Sequence, residues 1–236
     1  MIELLGITFR DLLNPDFYIN NGGLWVILFI VFAETGLMVG FFLPGDSLLF
    51  VAGIYSQKLV DTIIPGGTGS DVLDLFILLI MISFCGILGN YVGYWFGRQS
   101  GPFLFHRKDT FLFKKRHLYD AKAFYDKHGG QAIVFARFLP IIRTFAPIVA
   151  GIVEMDRKKF AYYNLLGCVA WVFLMLVAGH YLDKFFMTKF GFDLKKHLEI
   201  IVILIVLITT LPVIYKLFFG KRAGTPRGEN SSGKSN

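Results

Sequence analysis

The sequence predicts an all-α polytopic membrane protein: two inverted re-entrant helical hairpins, about three full transmembrane helices and a cytoplasmic amphipathic helix. Three observations carry this. Hydrophobic residues make up 55% of the 236 residues and charged residues only 17%, a composition that belongs to the bilayer. Apolar runs of twenty residues or more, long enough to span, recur at 24–43, 72–97, 160–180 and 200–219. Two apolar stretches, 24–56 and 131–151, are broken by proline yet hold charge.

Residues 1–23 read as an interfacial segment. Leu4, Leu5, Ile7, Phe9, Leu12 and Leu13 give it an apolar side, and Asn14-Pro15 and the run Asn20 to Gly23 break it. One arginine stands against Glu3, Asp11 and Asp16, so the cationic start of a signal peptide is missing. A membrane domain is expected over 24–219. Its first hairpin, 24–56, carries Glu34 and Asp46 and turns at Pro44-Gly45. The return from Ser47 to Tyr55 is too short to cross.

Residues 57–71 read as a polar loop and 72–97 as a span. Gly89, Gly93 and Gly97 recur every four residues on that span. They stack on one helix face, where small residues let membrane helices approach closely. The surrounding GNYVGYWFG is not a phosphate loop, because it lacks a strand–turn–helix setting. Cys85 and Cys168 lie in apolar runs and read as small packing residues.

The loop 98–130 holds eight Lys or Arg against three Asp. Lys114 to His128 forms an amphipathic helix with Leu118, Ala121 and Tyr125 on one side, suited to anionic lipid. Nucleic acid is a poor partner for a short basic patch tethered between membrane segments. The second hairpin, 131–151, reads QAIVFARFLPIIRTFAPIVAG. Arg137 and Arg143 sit within it, and Pro140 and Pro147 are expected to interrupt its helix. An arginine at bilayer depth costs about 2.5 kcal/mol or much more. Broken backbone there needs protein or a wet cavity around it. The planar guanidinium suits phosphate or carboxylate, so the pair points to an anionic ligand. Spans at 160–180 and 200–219 flank a mixed-charge loop, 181–199, and the tail 220–236 has a disordered composition.

The two broken stretches resemble each other. FLPGDSLLFVAG at 42–53 and FLPIIRTFAPIVAG at 138–151 both open Phe-Leu-Pro and close Ala-Gly. Loop charges orient the chain: 57–71 has one Lys and two Asp and goes outside, whereas 98–130 and the tail are basic and go to the cytoplasm. The hairpins then open to opposite faces, as in alternating-access carriers.

The pattern Arg137-x-x-Pro140-x-x-Arg143-x-x-x-Pro147-x-x-Ala150-Gly151, together with ETGLMVGFFLPGDSLLFVAG at 34–53, resembles the signatures of the DedA family, also called the SNARE-associated or VTT-domain family. The resemblance spans roughly residues 24–180. It implies a bacterial inner-membrane protein that translocates lipid, chiefly undecaprenyl phosphate, with Glu34, Asp46, Arg137 and Arg143 as the functional charges.

From the residues alone, the four charges either carry function or neutralise one another as two buried ion pairs; inside a membrane function is the default. The favoured reading is a flippase for a lipid such as polyprenyl phosphate. The arginines bind the phosphate, and Glu34 and Asp46 exchange protons or another cation. A cation/proton antiporter would use the acids but not the arginines, and a passive phospholipid scramblase would need no coupling. A membrane lipid-phosphate enzyme is disfavoured, because none of His106, His117, His128, His180 and His197 lies in either hairpin. No cofactor or metal site is expected, and an oligomer is compatible with the sequence. Reporters fused after Gly69, Lys115 and Lys234 should read outside, cytoplasm and cytoplasm; an external signal at Lys115 would reverse the orientation.

Overall fold

A computed structural model describes residues 23–37, 45–106, 115–137 and 140–190. Every regular element among them is helical: α1 (Gly23–Gly36), α2 (Gly45–Ile54), α3 (Ser56–Asp61), α4 (Asp71–His106), α5 (Lys115–His128), α6 (Gln131–Ala136), α7 (Pro140–Ile152) and α8 (Arg157–Phe190).

Two helices dominate. The apolar stretches Asp71–Gly101 of α4 and Arg157–Lys189 of α8 have the length and composition to cross a membrane. At about 1.5 Å per residue each exceeds the roughly 30 Å hydrocarbon core. Their starts are chemically marked. Asp71 and Asp74 lie in the first turn of α4, where the helix dipole favours negative charge. Asp156 caps α8, its Oδ1 accepting the Lys159 N–H at 2.9 Å. Phe76, Phe84 and Trp95 on α4 and Tyr162, Phe173 and Phe185 on α8 are each more than half exposed. An apolar surface that large belongs against lipid. Trp171, Phe160, Leu24, Ile27, Leu48 and Leu49 instead fill the interior.

The shorter helices pack on this pair through glycine. Gly36 of α1 meets the backbone of Gly89 on α4. Gly97 and Gly101 of α4 face the backbone of Ile148 and Ile152 on α7, and Gly151 faces that of Tyr94. On the other side, Gly53 of α2 abuts the Leu176 carbonyl of α8 and Gly179 abuts that of Phe50. A Cβ at any of these positions would strike backbone, which cannot swing away. The Gly89–Gly93–Gly97 stripe thus lies on packed faces, but unevenly. At Gly93 a Cβ would find only ordinary contacts, 3.4 Å from Ile148 Cγ1 and 3.7 Å from Pro147 Cβ.

Several boundaries differ from those expected. The span at 72–97 does not stop there: α4 continues to His106, so the first part of the basic loop 98–130 is helix. Continuing the helix satisfies backbone groups that a loop would leave to find other partners. The polar loop 57–71 contains the short helix α3. The span 160–180 is part of a longer helix, and its extension takes up the first ten residues of 181–199. Pro147 does not break the second hairpin; it lies inside α7. Only one helical hydrogen bond is lost there, the one from residue 147 to the Arg143 carbonyl, and flanking turns hold the helix. Pro140 is the first residue of α7, where a fixed φ and a missing N–H cost little. α6 ends at Ala136 and α7 begins at Pro140, so the segment is interrupted directly before Pro140. Gly45 opens α2. Pro44, residues 1–22, the span 200–219 and the tail 220–236 lie outside the described residues.

Gly97→Ala should therefore lower the folded yield, by an overpacking cost of about 1–3 kcal/mol. Gly93→Ala should be nearly silent. Thermal melting of the two purified variants in one detergent checks the order, and equal losses would contradict the contact geometry.

Candidate functional site: a buried arginine between two carboxylates

The site forms where both broken segments end. α1 and α2 each present an acid: Glu34 near the end of α1, Asp46 in the first turn of α2. α7 presents Arg143 within its first turns. Its Nη2 donates to Glu34 Oε1 and its Nη1 to Asp46 Oδ1. The side chains are 7% (Arg143), 5% (Glu34) and 16% (Asp46) exposed. Gly45 is required by this arrangement, because a Cβ there would collide with the Glu34 carboxylate.

α8 closes the cluster with Trp171. Its indole N–H donates to Asp46 Oδ1 at 3.0 Å. Its ring faces the Arg143 guanidinium, with the central carbon 4.7 Å from the centroid, a cation–π contact of about 1–2 kcal/mol when desolvated. Two acids share one base. Among the described residues, Glu34 Oε2 and Arg143 Nε have no hydrogen-bond partner. Such a site can take up a proton or admit a further polar group.

Arg137 does not join this cluster, so the alternative in which the four charges cancel as two buried ion pairs is not the arrangement among the described residues. Arg137 follows α6 directly and is buried. Its Nη2 donates to the neutral Asn164 Oδ1 at 2.7 Å, and the Cys168 thiol lies alongside. Asn164, fully buried on α8, also accepts from Asn90 Nδ2 of α4 at 2.7 Å and donates to the Ile87 carbonyl at 3.3 Å. Among the described residues no carboxylate pairs with Arg137, so the amide holds the cation without cancelling its charge.

Other expected features fall to structural roles. Tyr125 of α5 is buried and donates its hydroxyl to the Ala146 carbonyl of α7 at 3.0 Å. Burial pushes its phenol well above the usual range, so it stays protonated and keeps that bond. Gly129, with φ 58°, ends α5. Cys85 and Cys168 are free thiols. His180 lies 3.4 Å by Nδ1 from Ser56 Oγ and 3.8 Å by Nε2 from Asp71 Oδ2. That order imitates a catalytic triad, but Ser56 is enclosed and Asp71 is engaged by Lys184 and Gln57. It ties α3 and α8 to the first turn of α4.

Trp171, Asn90 and Asn164 escaped the sequence reading. The signal was present: polar or indole-bearing side chains inside spanning segments, which rarely go without partners in a membrane.

Among the described residues, this geometry is that of a membrane protein with two helices long and apolar enough to span and a shared ion cluster where shorter helices meet. A family model described as VTT domain matches residues 43–181. The chain is 37% identical over 204 residues to Protein DedA of Escherichia coli (strain K12), covering 85% of this chain and 86% of that one. It is 30% identical over 222 residues to the Inner membrane protein YqjA of the same organism, covering 91% and 93%. A membrane protein of Mycobacterium tuberculosis is 33% identical over 210 residues, covering 86% and 85%. The chain belongs to the VTT-domain, or DedA, family of membrane proteins. No solved structure matches it.

Asn164→Leu leaves Arg137 and Asn90 without their acceptor and should cost about 2–3 kcal/mol. Asn164→Asp keeps an acceptor for both and adds an ion pair, losing only the donor to the Ile87 carbonyl, and should melt closer to wild type than Asn164→Leu. Detergent melts of both variants read the difference.

Proposed function

We propose that the protein translocates an anionic lipid carrier across the bacterial inner membrane, with undecaprenyl phosphate the foremost substrate and protons the coupling ion. The observation that carries this is Arg143, buried and divided between Glu34 and Asp46. A lipid phosphate offers the guanidinium the same planar acceptor geometry as these acids and competes with them. Protonation of an acid weakens its hold on Arg143 and favours the phosphate; deprotonation on the other side returns the arginine to the acids. Arg137, paired with an amide, supplies a second cation toward the ligand.

In this reading 24–56 and 131–151 are re-entrant hairpins open to opposite faces, and the C-terminus is cytoplasmic, as the loop charges argue. Transport is the whole activity, and no residue acts as a chemical catalyst. A cation/proton antiporter is the second reading. The excess of carboxylates over base in the cluster favours it, but it leaves Arg137 without a role.

The direct test is uptake of polyprenyl phosphate into proteoliposomes with and without a pH gradient. Arg143→Lys should cut transport about 10- to 100-fold, because an ammonium replaces one of two charged bonds. Normal transport by Arg143→Lys and Arg137→Ala at wild-type abundance would remove the phosphate from the arginines. Glu34→Gln should keep lipid binding but lose pH-dependent transport, with Asp46→Asn alike. Wild-type pH dependence in both would leave a passive scramblase.

A further inference from the structure

A second basic place lies away from the ion cluster, between the end of the apolar part of α4 and the start of α8. There a cavity of about 510 Å³ is lined by Tyr91, Tyr94, Trp95, Arg98, Arg157 and Lys158. Three cations face it, and among the described residues no carboxylate lines it. Arg98 is fixed, its Nη1 donating to Tyr94 Oη at 2.8 Å and to the Met155 carbonyl at 3.5 Å. The aromatic wall is rigid: Tyr94 stacks on Phe160 with centroids 4.3 Å apart, and Tyr91 meets the same ring edge-on at 5.6 Å. Arg157 and Lys158 are exposed, and among the described residues neither has an ion-pair partner.

Their position works against helix stability. Helix N-termini favour acids, yet α8 opens Arg157-Lys158-Lys159 with no acid in its first turn. The neighbouring carboxylates are Glu154 and Asp156, and Asp156 is engaged in capping. A local rule broken without structural gain marks a place where charge serves something else. Trp95 and Tyr91 are exposed aromatics of the kind that sit at headgroup level. Beyond them Leu88, Val92 and Leu165 present an apolar lipid-facing surface.

We propose that this cavity binds the phosphate headgroup of an anionic membrane phospholipid, whose acyl chains run along the exposed faces of α4 and α8. Basic pockets between membrane helices take such headgroups. The site is independent of the transport reading. A free phosphate would gain nothing from the apolar surface below.

The test uses the full chain in detergent with phosphatidylglycerol or phosphatidylcholine, with bound lipid counted by native mass spectrometry. Wild type should retain phosphatidylglycerol selectively. Arg157→Gln/Lys158→Gln should weaken retention about 25-fold, and Lys158→Gln alone about fivefold, the worth of one interfacial cation. Lys58→Gln/Lys189→Gln, which removes two cations from α3 and from the last turn of α8, should leave it unchanged. Equal retention by the Arg157/Lys158 variants would overturn the proposal. So would an equal fall in the Lys58/Lys189 variant, or displacement of the lipid by millimolar inorganic phosphate.

Discussion

Arg143 binds two carboxylates that reach it from two different helices, and the rest of the interior is arranged around that division. A buried charge deprived of its partner costs about 3–5 kcal/mol, so α1, α2 and α7 are held to one another by more than apolar contact. Trp171 extends the constraint to α8 by bonding Asp46 and covering the guanidinium at once. Glu34 sits near the end of α1 and Asp46 in the first turn of α2, so both acids are carried at helix ends.

Arg137 and Arg143 look equivalent in the sequence but live in opposite settings. One is matched by carboxylates in excess, the other by an amide that orients without neutralising.

Much of this was legible in the sequence. The charges in apolar stretches, the prolines beside them and the glycine stripe of α4 are local patterns, and their residue types force buried polar contact or close helix approach. What was not legible was pairing. Nothing in the spacing of Arg137 and Arg143 says that one finds two acids and the other finds Asn164, since those partners lie 109, 97 and 27 residues away. Helix ends were missed for a related reason: apolarity reports where lipid stops, whereas α4 and α8 continue while their backbone bonds are satisfied. Pro147 misled because proline removes one donor, and α7 has turns enough on either side to absorb that loss.

The glycine contacts divide the molecule into two rafts. α1 and α7 are locked to α4 through Gly36, Gly89, Gly97 and Gly151, while α2 is locked to α8 through Gly53 and Gly179. Backbone set against backbone resists sliding, whereas side chains bridge the rafts, among them Asn90 to Asn164 and Arg143 to Asp46. Glu34 and Arg143 ride on the same raft; Asp46 and Trp171 ride on the other. A rearrangement that spares the glycine locks must run along the seam between the rafts. It parts Arg143 from Asp46 while Glu34 travels with the arginine, so the two acids, alike in chemistry, have unequal mechanical lives.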